Sequence, residues 1–340
     1  MHKMTLDRIT NGLLSSVIAL TAGCEYVPLM DIEVPFHNHQ QSEVLPNDNE
    51  PMPLGKIVFA GNDMSEENPA RVYDTFIINT DGSNLQPLTN NNEGRKDLSR
   101  FGDYIAFIRD NPEGSTENIY IINVNTSEET QLTDHLDTIN GCDNLRWSPN
   151  GSMLVADCED TALEPYPSQI YLITIAERTE RVLPIGGSNT DPFWSPDGRS
   201  IAAINYDVGG IAHVVKYNLD DDLVTSLTNN AFQERSPTWL LGGRIIFFRD
   251  DINYDNNFLR SDVFSIDENG EAEQQLTSHV SDNIWCDDME SDGNRFLVYG
   301  CTDGNVEQWW TRLHVFDLIS DEERILIPEM DVRSPEVWMP

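Results

Sequence analysis

Apolar residues in this chain fall in short clumps rather than in long periodic stretches. Ile57-Val58-Phe59, Ile105-Ala106-Phe107, Met153-Leu154-Val155, Ile201-Ala202-Ala203, Ile245-Ile246-Phe247-Phe248 and Phe296-Leu297-Val298 are the most compact of them. Unbroken apolar runs this short, bounded by turn residues, predict buried strands. A glycine stands just ahead of each: Gly55, Gly102, Gly151, Gly198, Gly243 and Gly293, at intervals of 47, 49, 47, 45 and 50 residues. The clearest copy reads Phe193-Trp194-Ser195-Pro196-Asp197-Gly198. Pro196 presets φ for a turn, and Asp197 and Gly198 tolerate the conformations a hairpin loop demands. Each unit therefore opens as strand, tight turn, strand.

A third strand follows in every unit, as in Phe76-Ile77-Ile78, Ile119-Tyr120-Ile121-Ile122, Ile170-Tyr171-Leu172-Ile173, Val214-Val215-Lys216-Tyr217, Val263-Phe264-Ser265-Ile266 and Leu313-His314-Val315-Phe316. After an Asp/Asn/Gly-rich turn, a fourth strand ends in Leu88-Thr89, Leu132-Thr133, Leu227-Thr228 or Leu276-Thr277. Four short strands per unit and six units predict an all-β fold, a six-bladed β-propeller with four antiparallel strands per blade. The tail Asp331-Val332-Arg333-Ser334-Pro335-Glu336-Val337-Trp338 matches the approach to the turn in other units, such as Ser236-Pro237-Thr238-Trp239. Pro53-Leu54-Gly55-Lys56 opens the first unit without such a strand. The C-terminal strand is thus expected to join blade 1 and close the ring, leaving no open sheet edge.

The Trp-Ser-Pro-Asp-Gly turn, the strand ending in Leu-Thr and the Ile-Tyr third strand resemble the TolB-type β-propeller. The likeness runs from about residue 53 to residue 340, fullest in the third and fourth units. Ser99-Arg100-Phe101-Gly102, Leu240-Leu241-Gly242-Gly243 and Glu290-Ser291-Asp292-Gly293 replace the full motif elsewhere. TolB carries an additional α/β domain ahead of its propeller. None is expected in the stretch ahead of residue 53, so the resemblance is to a lipoprotein-like member of the family without that domain.

That leading stretch divides in two. Lys3 and Arg8, the run Leu13-Leu14-Ser15-Ser16-Val17-Ile18-Ala19-Leu20 and the small residues Thr21-Ala22-Gly23-Cys24 describe a secretory signal over residues 1–23. The apolar run is too short to span a bilayer. Ala22-Gly23-Cys24 resembles the end of a bacterial lipobox, which implies lipidation of Cys24, and Glu25 after it implies passage to the outer membrane. Residues 24–52, with Pro28, Pro35, Pro46 and Pro51 among acids and amides, are expected to be a disordered tether ahead of the propeller at 53–340. His37 and His39 there lack the further ligands a metal site needs.

Charge excludes a class of partner. Against 58 acidic residues stand 21 basic ones, a net charge of −37. Such a surface repels phosphate backbones and anionic headgroups, so no nucleic-acid partner is expected, and membrane association only through the lipid. Cys142 and Cys158 lie almost equally far from one inner turn, as do Cys286 and Cys301 from another. Antiparallel pairing sets equidistant residues opposite each other, and an oxidising compartment preserves such bonds, so disulfides Cys142–Cys158 and Cys286–Cys301 are expected.

No Gly-x-Ser-x-Gly, His-Glu-x-x-His, Walker or dinucleotide motif is present. Neither Asn79-Thr80-Asp81-Gly82 nor Asp220-Asp221-Asp222 completes a calcium loop, and both read as turns. Trp309-Trp310 read as inter-blade packing, the other reading being an aromatic binding platform. The expectation is a non-enzymatic periplasmic binding or scaffold protein, monomeric, without cofactor or metal, recognising an envelope protein or polysaccharide. Its contact face is expected where loops before the inner strands converge, with Asp143, Asp191, Arg235, Asp287 and Arg333 as candidates. The alternative is a metal-assisted carbohydrate-active enzyme of the polysaccharide-lyase type using His135 and His279.

Overall fold

A computed structural model describes residues 56–338 apart from 63–73, 80, 88–95, 111–116, 124, 127, 135–138, 161–166, 253–257, 278–283, 292, 294–295, 304–310, 320–321 and 328–330. The signal segment, Cys24, the tether with His37 and His39, His135, His279, Leu88-Thr89 and Trp309-Trp310 lie outside the described residues.

The described residues form 24 strands and no helix, in six antiparallel sheets of four. The first blade is β24(Asp331–Trp338), β1(Lys56–Asn62), β2(Asp74–Asn79), β3(Gln86–Pro87), from axis to rim. The second is β4(Lys96–Phe101), β5(Tyr104–Asp110), β6(Glu117–Asn123), β7(Glu129–Gln131), and the third β8(Ile139–Trp147), β9(Met153–Asp160), β10(Ser168–Thr174), β11(Thr179–Val182). The fourth is β12(Ser188–Trp194), β13(Ser200–Tyr206), β14(Ala212–Asn218), β15(Val224–Ser226). The fifth is β16(Gln233–Trp239), β17(Arg244–Ile252), β18(Phe258–Asp267), β19(Gln274–Gln275), and the sixth β20(Ile284–Ser291), β21(Phe296–Asp303), β22(Thr311–Asp317), β23(Glu322–Ile327). One parallel bridge, Arg260 to Ile284, links the last two blades.

The ring closes as expected. β24 runs antiparallel to β1, with Val337 opposite Ile57 and Trp338 opposite Lys56. The register places Val337, rather than Trp338, at the position that Trp239 holds opposite Ile245 in the fifth blade.

Blade-to-blade packing explains why the second strands read as unbroken apolar runs. Ile201 and Ala203 of β13 pack toward the third blade with Trp194, Val155 and Ile170. Their neighbours Ala202 and Ile204 pack toward the fifth blade with Trp239, Ile245 and Phe247. Successive side chains leave a strand on opposite faces. Where both faces meet another sheet, alternation has no polar phase. The described core falls into six clusters, one per seam, including Ile57, Phe59 and Ile78 against Val298, Leu313 and Val315 between the first and sixth blades.

The repeat motifs have separate jobs. Ser195 Oγ donates to Asp197 Oδ1 (2.6 Å) and accepts from Ser200 N (2.9 Å), while Gly198, at φ +69°, donates to Ser195 O (2.9 Å). Trp194 and Trp147 pack in the seams, and their indole N–H groups reach back one blade to Arg146 O (3.3 Å) and Ser99 O (3.0 Å). The Leu-Thr pairs sit just past the fourth strands rather than at their ends. There Thr133, Thr228 and Thr277 accept from the amides of Ile119 (2.9 Å), Val214 (2.9 Å) and Val263 (2.8 Å). The amides of Leu132, Leu227 and Leu276 still donate to the carbonyls of the same three residues, so the hydroxyl supplies only the acceptor that the ladder lacks there.

Both disulfides form, at sequence separations of 16 and 15, with Cys142 opposite Cys158 and Cys286 opposite Cys301. Loops of about 15 residues closed in this way contribute about 3 kcal/mol in the chain-entropy account. Cys142→Ala/Cys158→Ala is expected to shift the denaturant midpoint downward by about that free energy. Equal midpoints for the oxidised protein and the variant would remove this contribution.

A polar collar on the inner strands

All six inner strands carry a register shift at the same level. In five of them the residue at the shift has a left-handed backbone: Asp97 (φ 50°), Asn144 (56°), Asp191 (55°), Ser236 (49°) and Asp288 (55°). Asp and Asn accept this region more readily than most side chains, and Ser less so. A bulge unpairs one residue and re-aims its side chain. Repeated around a ring, it sets a polar collar on the strands nearest the axis.

Bonds knit the collar from blade to blade. Asn144 N donates to Asp97 Oδ1 (3.1 Å), Asn144 Nδ2 to Asp191 Oδ1 (3.1 Å), and Ser236 N to Asp191 Oδ2 (2.8 Å). Asp157 of β9 lies behind them, accepting from Asn144 Nδ2 (2.9 Å) and Asp191 N (3.2 Å). Burial pushes the Asp157 carboxyl well above its usual range, and the neighbouring Asp191 charge adds to the rise. Two residues past the collar, Arg146 of β8 forms an ion pair with Glu290 of β20. Burial lifts Glu290 to about 7, with Arg146 opposing and Asp288 reinforcing the shift.

Asp157 makes the collar pH-sensitive in a definite direction. A carboxyl whose folded pKa is raised binds its proton more tightly folded than unfolded, so its contribution falls as pH climbs from 3.8 through the folded value. Asp157→Asn keeps the accepting oxygen and removes the charge. The variant is expected to melt higher than wild type at pH 8 and to lose that part of the decline, by about 1.4 kcal/mol for each unit of the shift removed. Thermal melts between pH 4 and pH 8 check it, and parallel curves would exclude Asp157 as the titrating group.

The five candidates named from the sequence lie inside the inner strands, not in loops ahead of them: Asp143 in β8, Asp191 in β12, Arg235 in β16, Asp287 in β20 and Arg333 in β24. The inner strands begin several residues before their apolar portion, because the axial part of each is polar. Asp191 is itself a collar residue, whereas Arg235 and Asp287 each precede one. Asp143 is exposed. Arg235 is committed to Asp250 through Nε and Nη2 (both 2.8 Å) and to Ser261 (3.0 Å). The side chains of Asp287 and Arg333 lie outside the described ones. The collar members Asp97, Asn144, Ser236 and Asp288 escape a motif search, although one signal marks the phase: Asn144, Asp191 and Ser236 each stand three residues before a Trp.

One trio among the described residues has metal-compatible spacing, Cys301, His314 and Glu323, with donor atoms within 4.8 Å of one another. Cys301 is bonded to Cys286, and Glu323 Oε1 already meets Tyr299 OH (2.9 Å) and His314 Nδ1 (2.8 Å). The trio is a hydrogen-bonded network beside a disulfide.

Fold and collar define a six-bladed propeller whose inner strands carry polar residues at one level. The chain belongs to the TolB β-propeller domain family, whose model matches residues 53–315. Among solved structures it resembles TolB from Acinetobacter baumannii at 18% identity and TM-score 0.64, covering 84% of this chain and 66% of that one. A putative TolB from Agrobacterium tumefaciens matches at 14% identity and TM-score 0.59, covering 85% and 99%. Hydrazine synthase from Kuenenia stuttgartiensis matches at 13% and 0.62, covering 84% and 47%. At these identities the likeness is one of fold. The chain spans just under two thirds of the A. baumannii protein. No curated protein sequence matches the chain significantly.

Proposed function

We propose that this protein is a non-enzymatic binding propeller of the cell envelope, exported through its leading segment, held to the outer membrane by lipid on Cys24, and acting as a monomer. The observation that carries the reading is the collar. A left-handed backbone costs non-glycine residues on the order of 1 kcal/mol or more each, and such strain persists where surrounding structure over-determines it. Five repeats of it at one level, four of them tied across seams by hydrogen bonds, form a preorganised polar surface, the arrangement recognition requires. Family membership supports the same reading.

The contact face is the mouth at which the inner strands begin, and its partner is an envelope protein or polysaccharide. Asp143 is the residue to test, since it is exposed and stands one place before the collar residue Asn144. Crosslinking in cells is expected to show the principal adduct of wild type lost or weakened in Asp143→Lys, with thermal melts used to confirm that the variant is folded. An unchanged adduct pattern would exclude this face.

A further inference from the structure

Arg146 and Glu290 belong to the inner strands of the third and sixth blades. In a ring of six those blades are opposite each other, so the pair meets across the central axis. Both side chains are enclosed, retaining 11% and 6% of their exposure. Nε of Arg146 and Oε1 of Glu290 meet as an ion pair rather than along a well-aligned hydrogen bond, and Arg146 Nη1 also donates to Leu145 O (2.9 Å).

The other cross-blade bonds described on these strands join neighbours. Trp147 N donates to Ser99 Oγ (3.0 Å), Ser236 N to Asp191 (2.8 Å), and Thr238 Oγ1 to Met289 O (2.8 Å). Arg146 and Glu290 stand two residues beyond Asn144 and Asp288. At the same step from the collar, Ser99 and Thr238 spend their hydroxyls on an adjacent blade, and Phe193 packs in the seam between the fourth and fifth blades. Among the described side chains at this level, only the opposed pair combines charge with the length to reach the middle.

We propose that Arg146 and Glu290 form a strut across the diameter of the ring, so that the propeller is closed twice, at its seam by β24 on β1 and at its axis by this pair. A seam closure alone resists opening at one place. A diametric tie couples two blades that share no sheet and no seam, so moving the third or the sixth blade away from the axis must also break the tie.

A double-mutant cycle on the full chain tests this, with Arg146→Met, Glu290→Gln and both together. Each single change leaves one enclosed group without its partner, and is expected to lower the folded-to-unfolded ratio roughly hundredfold or more, whereas the double variant recovers to within roughly tenfold of wild type. Hydrogen exchange supplies the readout that a merely local role would not move. In the double variant β8 and β20 lose roughly tenfold in protection together, while the outer strands β11 and β15 keep theirs. Should Arg146→Met fail to fold, Arg146→Gln, which removes the charge and keeps a polar side chain, takes its place in the cycle with Glu290→Gln. Additive single effects, or protection lost evenly over inner and outer strands, would overturn the strut.

Discussion

Arg249→Ala is expected to cost about 3–5 kcal/mol, the penalty for leaving an enclosed charge without its partner. Arg249 Nε and Nη2 donate to Glu234 Oε1 (3.0 and 2.6 Å), and Nη1 and Nη2 to the two Glu273 oxygens (2.8 and 2.7 Å). Its guanidinium lies 4.3 Å from the centroid of Phe264 and 5.4 Å from those of Phe232 and Phe247. Glu234 is fully enclosed at 0% exposure and also accepts from Val214 N (3.2 Å), Thr228 Oγ1 and Asn230 Nδ2 (2.9 Å). The carboxylate thus anchors the end of the fourth blade to the start of the fifth, and Arg249 is the cation that makes its burial tolerable. Arg249→Lys should recover only part of the loss, because an ammonium has three donors and no planar fork with which to make the four bonds that Arg249 makes to Glu234 and Glu273. Urea midpoints decide the matter. An Arg249→Ala loss under about 1 kcal/mol, the range of a surface pair, would mean that Glu234 is solvated after all.

Ending the chain at Met330 is expected to abolish the folded monomer. The cut removes β24 and with it six registered pairs along β1, leaving Lys56–Asn62 as a bare edge. At about 1 kcal/mol net per backbone bond, the loss approaches the whole stability of an ordinary domain. An exposed apolar edge also invites pairing with another chain. Size-exclusion chromatography should show aggregate in place of monomer. A permutant supplies the control. Because Trp338 lies opposite Lys56 and the strands run antiparallel, joining residue 340 to residue 53 and opening the chain at 328 turns a closure over the full length into a local hairpin. That permutant is expected to fold with near-native stability, and a folded monomer from the truncated chain would show the seam to be dispensable.

Arg249 has a counterpart that shows how far such staples repeat. Arg109 pairs with Glu129 (2.6 Å) and lies 4.0 Å from the centroid of Tyr120, at the matching place in the second blade. Neither arginine stands out in the sequence. Each follows an apolar run by one residue and reads there as the polar end of a strand.

Blade number, strand order, ring closure and both disulfides were legible in the sequence for one reason: each is written in a period. Turn glycines, two-faced apolar strands and cysteines equidistant from a turn depend on local geometry, which repeats with the chain. The Leu-Thr motif was legible as punctuation, but its use, a hydroxyl standing in for a ladder carbonyl, needed the fold. Asp143, Asp191, Arg235, Asp287 and Arg333 read in the sequence as charges in loops, since an inner strand facing a polar axis lacks the apolar phase that marks a strand. The collar shows in the sequence only as a polar residue three places before a Trp in three units, and the Arg146–Glu290 strut belongs wholly to the tertiary structure. Residues 144 positions apart can face each other only once six sheets stand in a ring, and no period within a single unit encodes which side chains will meet at its centre.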